Sequence, residues 1–228
     1  MNITFLGHAC LLVKTQEHAV IIDPFLSGNP LCSIDPKAIK VDAILITHGH
    51  LDHIGDSIQI AKQNNCPIIC NPELTHYFEK HQVAAIPVGI GGKRQFDFGE
   101  VKLVQAFHGS GIEENGVLLN TGSPAGILLT MNNKTLYHAG DTGLFGDMRM
   151  IGELHAIDVC ALPIGDCFTM GIDDAIVAAK WIQANKYLPL HYNTFEAIQQ
   201  DPHIWQQKMI HERLDGIILP IGETLALS

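Results

Sequence analysis

The sequence predicts an α/β chain built as a four-layer αββα sandwich, two packed β-sheets with helices on their outer faces. Three observations carry this. β-rich segments crowd both ends of the 228-residue chain, helical segments are interspersed among them, and no linker, low-complexity tract or short-period repeat divides the chain. Sheets and helices so arranged bury their apolar faces by stacking sheet on sheet and covering the outside with helices. One domain spanning residues 1–228 is the economical expectation. A chain of this length buries roughly 70% of its unfolded surface.

The segments follow in order. "NITFL" (2–6), "ACLLV" (9–13) and "AVIID" (19–23) are strands separated by short polar or Gly-containing breaks. Residues 24–37 carry Pro, Gly, Ser and Asn and form a loop, of a length that in compact domains often lines a site. "VDAILIT" (41–47) is an apolar strand running into "HGHLDH". Ile54, Ile58 and Ala61 have helical spacing, so a helix spans 54–65. "CPIIC" (66–70) is a strand, "PELTHYFEKH" (72–81) a helix opened by Pro72, and "VAAIPV" (83–88) a strand.

The middle is antiparallel in character. "QFDFGEVKLVQAF" gives two strands broken at Gly99, and "AGILLTMNNKTLYHAGD" a hairpin turning at Asn132-Asn133. Then "LFGDMRMIGEL" (144–154) is a helix and "IDVCALPIG" a strand. "IDDAIVAAKWIQANK" is a helix with acids in its first turn, where the dipole favours them. "KYLPLHYN" is a strand, "DPHIWQQKMIHERL" a helix, and "IILPIGETLAL" (217–227) closes the chain as strands.

Composition excludes several functions. The formal net charge is −10 and the 14 Lys and Arg are scattered, with Lys93-Arg94 the only adjacent pair. Nucleic-acid binders concentrate positive charge on one face, so that partner is not expected. The opening "MNITFLGHACLLV" has no basic leader and sets His8 inside its apolar stretch, so it is a strand and not a signal peptide. No apolar run approaches the ~20 residues of a membrane span. A soluble cytoplasmic protein without membrane partners is expected. The six cysteines include no CxxC and are expected to be buried, unbridged core residues.

The chemistry concentrates in "THGHLDH". His48, His50, Asp52 and His53 follow an apolar strand, and a loop held by that strand lets their side chains converge. Neutral imidazole and carboxylate together suit Zn, Fe, Mn or Ni. This pattern resembles the HxHxDH motif of the metallo-β-lactamase superfamily. That family takes further ligands from later strand ends, and the chain supplies His108 in "LVQAFHGSG", Asp141 in "TLYHAGDTG" and His191 in "YLPLHYN". Alone, His108 or His191 would be a core histidine, and Asp141 a turn former. Their joint order after β-type segments sets those readings aside.

The resemblance implies that His48, His50 and His108 bind one metal, that Asp52, His53 and His191 bind a second, and that Asp141 bridges. The implied cofactors are two divalent ions, zinc first, with manganese or iron as alternatives. The implied reaction is hydrolysis by a hydroxide bridging two metals. The bond is an ester, lactone, thioester or phosphodiester in a small intracellular molecule.

"FLGHAC", "IDPFLSGNP", "LPIGDCFTMG" and "PLHYNTF" are similar to a narrower branch, the prokaryotic predicted metal-dependent hydrolases related to ascorbate-6-phosphate lactonase. By that likeness His8 stands at the active-site rim as a substrate contact or proton shuttle, and with Asp52 it is a candidate catalytic residue. A phosphorylated sugar substrate is suggested by this likeness alone. Relatives often form dimers or larger homo-oligomers. Asp23 either orients a ligand histidine or starts a turn before Pro24. Asp166 is a further loop candidate, and His138, three residues before Asp141, is structural. An iron-dependent redox enzyme resembling the sulfur dioxygenases, or a non-catalytic metal-binding module, are the alternatives. Flavin-linked relatives carry an acid where this chain has His50, which favours the hydrolase.

Overall fold

A computed structural model describes residues 1–227. Its strands are β1 (Asn2–Phe5), β2 (Leu11–Lys14), β3 (Ala19–Ile22), β4 (Ala43–Leu45), β5 (Ile68–Cys70), β6 (Ala85–Pro87), β7 (Lys93–Phe96), β8 (Gly99–Gln105), β9 (Gly111–Glu114), β10 (Val117–Asn120), β11 (Ala125–Met131), β12 (Lys134–His138), β13 (Val159–Pro163), β14 (Lys186–Leu190) and β15 (Thr224–Ala226). The helices are α1 (Leu51–Ile54), α2 (Ser57–Asn64), α3 (Pro72–Lys80), α4 (Met148–Leu154), α5 (Ile172–Ile182) and α6 (Pro202–His211).

One sheet has seven strands in the order β15-β1-β2-β3-β4-β5-β6, and the other has six in the order β14-β13-β12-β11-β8-β7. Period-two burial makes the layers. Ile3, Val13, Val20, Ile22 and Leu45 from the first sheet meet Val101, Leu103, Ile127, Leu129, Val159 and Leu190 from the second. Their neighbours point outward: Ile21, Ile44 and Ile68 pack under α2 and α3, with Ile60, Leu74 and Phe78. Leu128, Tyr137, Cys160 and Tyr187 pack under α4, α5 and α6, with Met148, Ile176 and Trp205. Strands buried on both faces carry near-continuous apolar runs, as "AILI" and "VCALP" do. All six cysteines are unbridged; Cys10, Cys66, Cys70 and Cys160 are buried, while Cys167 is exposed and Cys32 half-buried.

Local signals explain the helix ends. Asn71 accepts from the Leu74 N–H ahead of Pro72, and Asp201 accepts from the His203 N–H ahead of Pro202. Asn132 and Asn133 both take positive φ, the requirement of a tight hairpin turn between β11 and β12.

Three expectations need correction. The helix set at 54–65 is two pieces, because Gly55 at φ +43 ends α1 and its Cβ position abuts the Pro24 carbonyl and Phe25 backbone. The helix set at 144–154 starts at Met148, behind a turn. Of "IILPIGETLAL" only Thr224–Ala226 is a regular strand, since Pro220 and Gly222 (φ +90) interrupt the run. β9 and β10, a separate hairpin, were not expected at all. Its signal was Asn115-Gly116, where both φ angles are positive.

Topology gathers one set of strand ends at one edge. β3 and β4 run parallel, and β1 runs parallel to β3 because each is antiparallel to β2. In the other sheet β12, β13 and β14 are parallel, and β8 joins them because β8 and β12 are both antiparallel to β11. The residues following β1, β3 and β4 therefore share an edge within their sheet, as do those following β8, β12 and β14. Ligands in α/β sheets collect at such carboxyl ends.

Candidate metal centre

The two edges meet. His8 follows β1, Asp23 follows β3, and His48, His50, Asp52 and His53 follow β4; His108 follows β8, Asp141 follows β12 and His191 follows β14. Donor atoms of His48, His50, His108 and Asp141 lie within 4.8 Å of one another, as do those of His8, Asp52, His53 and His191. Asp141 touches both groups. Its Oδ2 lies 3.0 Å from His191 Nε2, 3.5 Å from His108 Nε2 and 4.0 Å from His48 Nε2, while Oδ1 lies 3.2 Å from His53 Nε2. All seven expected metal ligands are thus brought together.

Asp23 fixes which nitrogens face inward. It is fully buried at φ +46. Its Oδ1 accepts from the Thr47 N–H at 2.9 Å, and its Oδ2 accepts from the Thr47 hydroxyl at 2.6 Å and from His53 Nδ1–H at 2.7 Å. With its proton given to Asp23, the Thr47 oxygen accepts from His48 Nδ1–H at 2.9 Å. Nε2 of both histidines therefore faces the cluster: His48 presents it as a lone pair, while Asp141 and Asp23 hold His53 protonated, with an Nε2 proton that a bound cation would replace. Asp23 therefore orients His53 directly and His48 through Thr47, and is more than a turn starter. Thr47, immediately before the histidine run, went unremarked in the sequence.

His8 is not at a rim. It is 1% exposed, with Nε2 3.0 Å from Asp52 Oδ2 and Nδ1 2.9 Å from the Thr194 hydroxyl. A carboxylate only accepts, so His8 Nε2–H donates to Asp52 and Nδ1 accepts from Thr194. The rings of Phe25 and Phe195 cover it edge-on at 5.6 and 5.5 Å. Burial accounts for the difference: the β1–β2 turn tucks inward, held by the His191 N–H donating to the His8 carbonyl at 2.8 Å. His138 is saturated, donating to the Ala9 carbonyl and accepting from the Gly140 N–H. Asp166 is exposed at φ +68 and bonds through its backbone to Met170.

Electrostatics divides the groups. Burial, with His53 nearby, holds His48 well below the ordinary imidazole value, and burial lowers His50 and His108 too, so these three present lone pairs at neutral pH. Burial lowers His8 to about 4, against the opposing bond to Asp52. Burial opposes ionisation of Asp141, yet the charges of His53 and His191 outweigh it and hold the carboxyl well below its usual range. Burial likewise opposes charge on His191, but Asp141 lifts it to about 9. Asp141, buried among imidazoles with the half-buried Asp52 nearby, requires positive charge, which protons or metal cations supply.

The donor set fits divalent cations. His48 Nε2 and His108 Nε2 lie 3.0 and 3.3 Å from His50 Nδ1, a convergence that lone pairs tolerate only around a proton or a cation. His53 Nε2 and Asp141 Oδ1 are buried and, despite their proximity, neither has a hydrogen-bond partner among the described residues. Nitrogen and carboxylate oxygen in one cluster match zinc, iron or manganese.

Such a cluster at the joined edges of an αββα sandwich defines a metallohydrolase-type centre. Comparison with known proteins makes the class specific. The Beta-lactamase superfamily domain model matches residues 18–192. The UPF0173 metal-dependent hydrolase YtkL of Bacillus subtilis is 52% identical over the full length of both chains. Igni18, a metallo hydrolase from the archaeon Ignicoccus hospitalis, superimposes with a TM-score of 0.91 at 32% identity, covering 100% of this chain and 98% of that one. An isothiocyanate hydrolase from Delia radicum gut bacteria shares the fold, with a TM-score of 0.80 at 20% identity over 100% of this chain and 99% of that one. The chain belongs to the β-lactamase superfamily and, within it, to the UPF0173 metal-dependent hydrolases; it is a metal-dependent hydrolase. No described helix is long and apolar enough to cross a membrane.

Proposed function

We propose that the chain cleaves an ester, lactone, thioester or phosphodiester bond in a small cytoplasmic molecule, using two divalent cations, zinc first. His48, His50 and His108 would hold one, Asp52, His53 and His191 the other, and Asp141 both. The observation that carries this is the position of Asp141, whose two oxygens lie within 4.0 Å of His48, His53, His108 and His191. When bound, two such cations supply a hydroxide nucleophile at neutral pH and the charge that polarises the scissile bond.

The protein's own groups do the rest. Asp23 and Thr47 hold His48 and His53 in one tautomer. His8 donates to Asp52 and fixes its carboxylate. The Asp52 side chain is 26% exposed against 3% for Asp141, so Asp52 is the carboxylate that a proton from the substrate side reaches, with His8 Nε2–H holding it in place. No nucleic acid or membrane takes part in this reading, and the working form is a homo-oligomer.

The test is metal content and a hydrolysis panel on protein loaded separately with Zn and Mn, parent against Asp141→Ala. Two metals per chain in the parent are expected. The variant should lose metal and about 10²–10³-fold or more in rate. A variant that keeps both the metal and the rate removes the two-cation reading.

A further inference from the structure

A cleft of about 370 Å³ opens directly beside His108. Its lining carries no formal charge, His108 being lowered by burial, and it sets Leu118, Leu119 and Pro124 beside Ser110, Asn120 and Ser123. The β9–β10 hairpin is one wall, and it is held against the histidine loop. Ser110 Oγ accepts from the Gly49 N–H at 3.0 Å and shares a proton with Thr121 Oγ1 at 2.6 Å. Asn71 Nδ2 adds two bonds at the same base of the hairpin, donating to the Thr121 and Ser123 carbonyls. The cleft is therefore a built feature of the site's surroundings.

A second observation concerns charge. The connections around the centre, residues 6–10, 23–35, 46–56, 106–124, 139–147, 164–171 and 191–200, contain no Lys or Arg. All 14 basic residues lie elsewhere. Exposed Glu113, Asp147, Asp166 and Glu196 sit on these same loops, and none pairs with a Lys or Arg among the described residues. In place of cations the loops display large apolar side chains: Leu51 is 61% exposed, Phe107 67% and Leu118 76%. Apolar groups left in water around a site mark a surface that something apolar covers.

We infer that this cleft takes the uncharged, apolar arm of the substrate. The bond cleaved is then a carboxylic ester, thioester or lactone of a neutral apolar acid, and phosphodiesters and phosphorylated or carboxylated compounds are turned away. The inference rests on the hydrolase reading above and narrows it. Water is consumed: its oxygen bonds the acyl carbon, the C–O or C–S bond breaks, and the leaving group takes a proton. A phosphate or second carboxylate would enter an acidic, arginine-free surround with nothing to pair it, which is costly. Each methylene that leaves water for the cleft lowers the barrier, at about fourfold per group.

The experiment uses the Zn-loaded full chain. It compares kcat/KM on p-nitrophenyl acetate, p-nitrophenyl butyrate, the carboxylate-ended p-nitrophenyl hemisuccinate and bis-p-nitrophenyl phosphate. Butyrate should exceed acetate by about 15-fold, and exceed hemisuccinate and the phosphodiester by at least about tenfold. Leu118→Ser should lower the butyrate-to-acetate ratio, and Leu118→Arg should raise hemisuccinate relative to butyrate. A faster phosphodiester or hemisuccinate reaction overturns the inference while leaving the hydrolase standing. So does a Leu118→Ser variant whose oligomeric state changes while the butyrate-to-acetate ratio does not, since that makes Leu118 an interface residue. No turnover of any substrate by the metal-loaded chain overturns both.

Discussion

Replacing Asp23 with Asn exchanges one heavy atom in a fully buried side chain. Asn tolerates the φ of +46 found there, so backbone strain is unchanged. The hydrogen bonds are not. Asp23 accepts three, from Thr47 N–H, the Thr47 hydroxyl and His53 Nδ1–H, and an amide has only one oxygen to offer. The cheaper orientation keeps that oxygen on the hydroxyl and His53 and turns the NH2 toward the Thr47 N–H. One buried donor is then unpaired, at about 1–3 kcal/mol, and the two remaining bonds lose their charge assistance, roughly 1 kcal/mol more. The sum is about 2–4 kcal/mol, a fall in Tm of roughly 5–15 °C for a chain of this size.

The same substitution loosens the His53 tautomer, so metal affinity should drop about 10- to 100-fold. Thermal unfolding in chelator gives the first number and metal competition titration the second. Asp166→Asn is the control, because Asp166 also has positive φ, +68, but is exposed; its Tm should move by no more than about 2 °C. If the two variants behave alike in both assays, the orienting role of Asp23 is wrong.

Two further outcomes follow from the same geometry. A Cβ at Gly49 would lie 2.1 Å from Thr121 Oγ1, so Gly49→Ala should push the hairpin away from the histidine loop at a cost of about 1–3 kcal/mol. The double variant with Thr121→Ala should recover part of it, and strictly additive losses in urea unfolding would show that the two residues do not meet. On pH, His8 stands near 4 in the folded chain against 6.5 when unperturbed, so the unfolded chain binds its proton first as pH falls. His8's contribution is then full above 6.5 and declines between 6.5 and 4, and the lowered His48, His50 and His108 act in the same direction; His53 and His191, raised by Asp141, act the opposite way, but two groups are outweighed by four. The urea midpoint of the metal-free chain should therefore drop from pH 7 to 5, and less steeply in His8→Gln; parallel slopes would count against it.

Much of this centre was legible because it is local in sequence. His48, His50, Asp52 and His53 sit in one six-residue span, and His108, Asp141 and His191 each end an apolar run. What was not legible depends on contacts between distant segments. Whether Asp23 starts a turn or orients a ligand turns on β3 and β4 lying side by side, which its own neighbours in sequence do not reveal. His8 was misplaced because its burial comes from residues 191–195, on the other sheet. The β9–β10 hairpin escaped because its strands lack a clean apolar alternation; Val117 and Leu118 are both exposed, and only Asn115-Gly116 marked it.

The backbone around the centre shows why these particular residues had to be found in space. His8, Asp23 and His191 all take positive φ, at +53, +46 and +53, a conformation that costs a non-glycine residue roughly 1–2 kcal/mol. Each is over-determined by bonds that bring separate elements together: Asp23 by Thr47 and His53, and His8 and His191 by each other, through the 2.8 Å bond from the His191 N–H to the His8 carbonyl. That bond joins the first sheet to the second at the place where the donor groups meet. The first sheet contributes His48, His50, Asp52 and His53, and the second contributes His108, Asp141 and His191. Neither sheet alone holds a complete donor group, so the centre exists only when both have docked. Strain that a single strand end could relieve by relaxing is instead locked in by the sandwich, which fits its concentration at this edge.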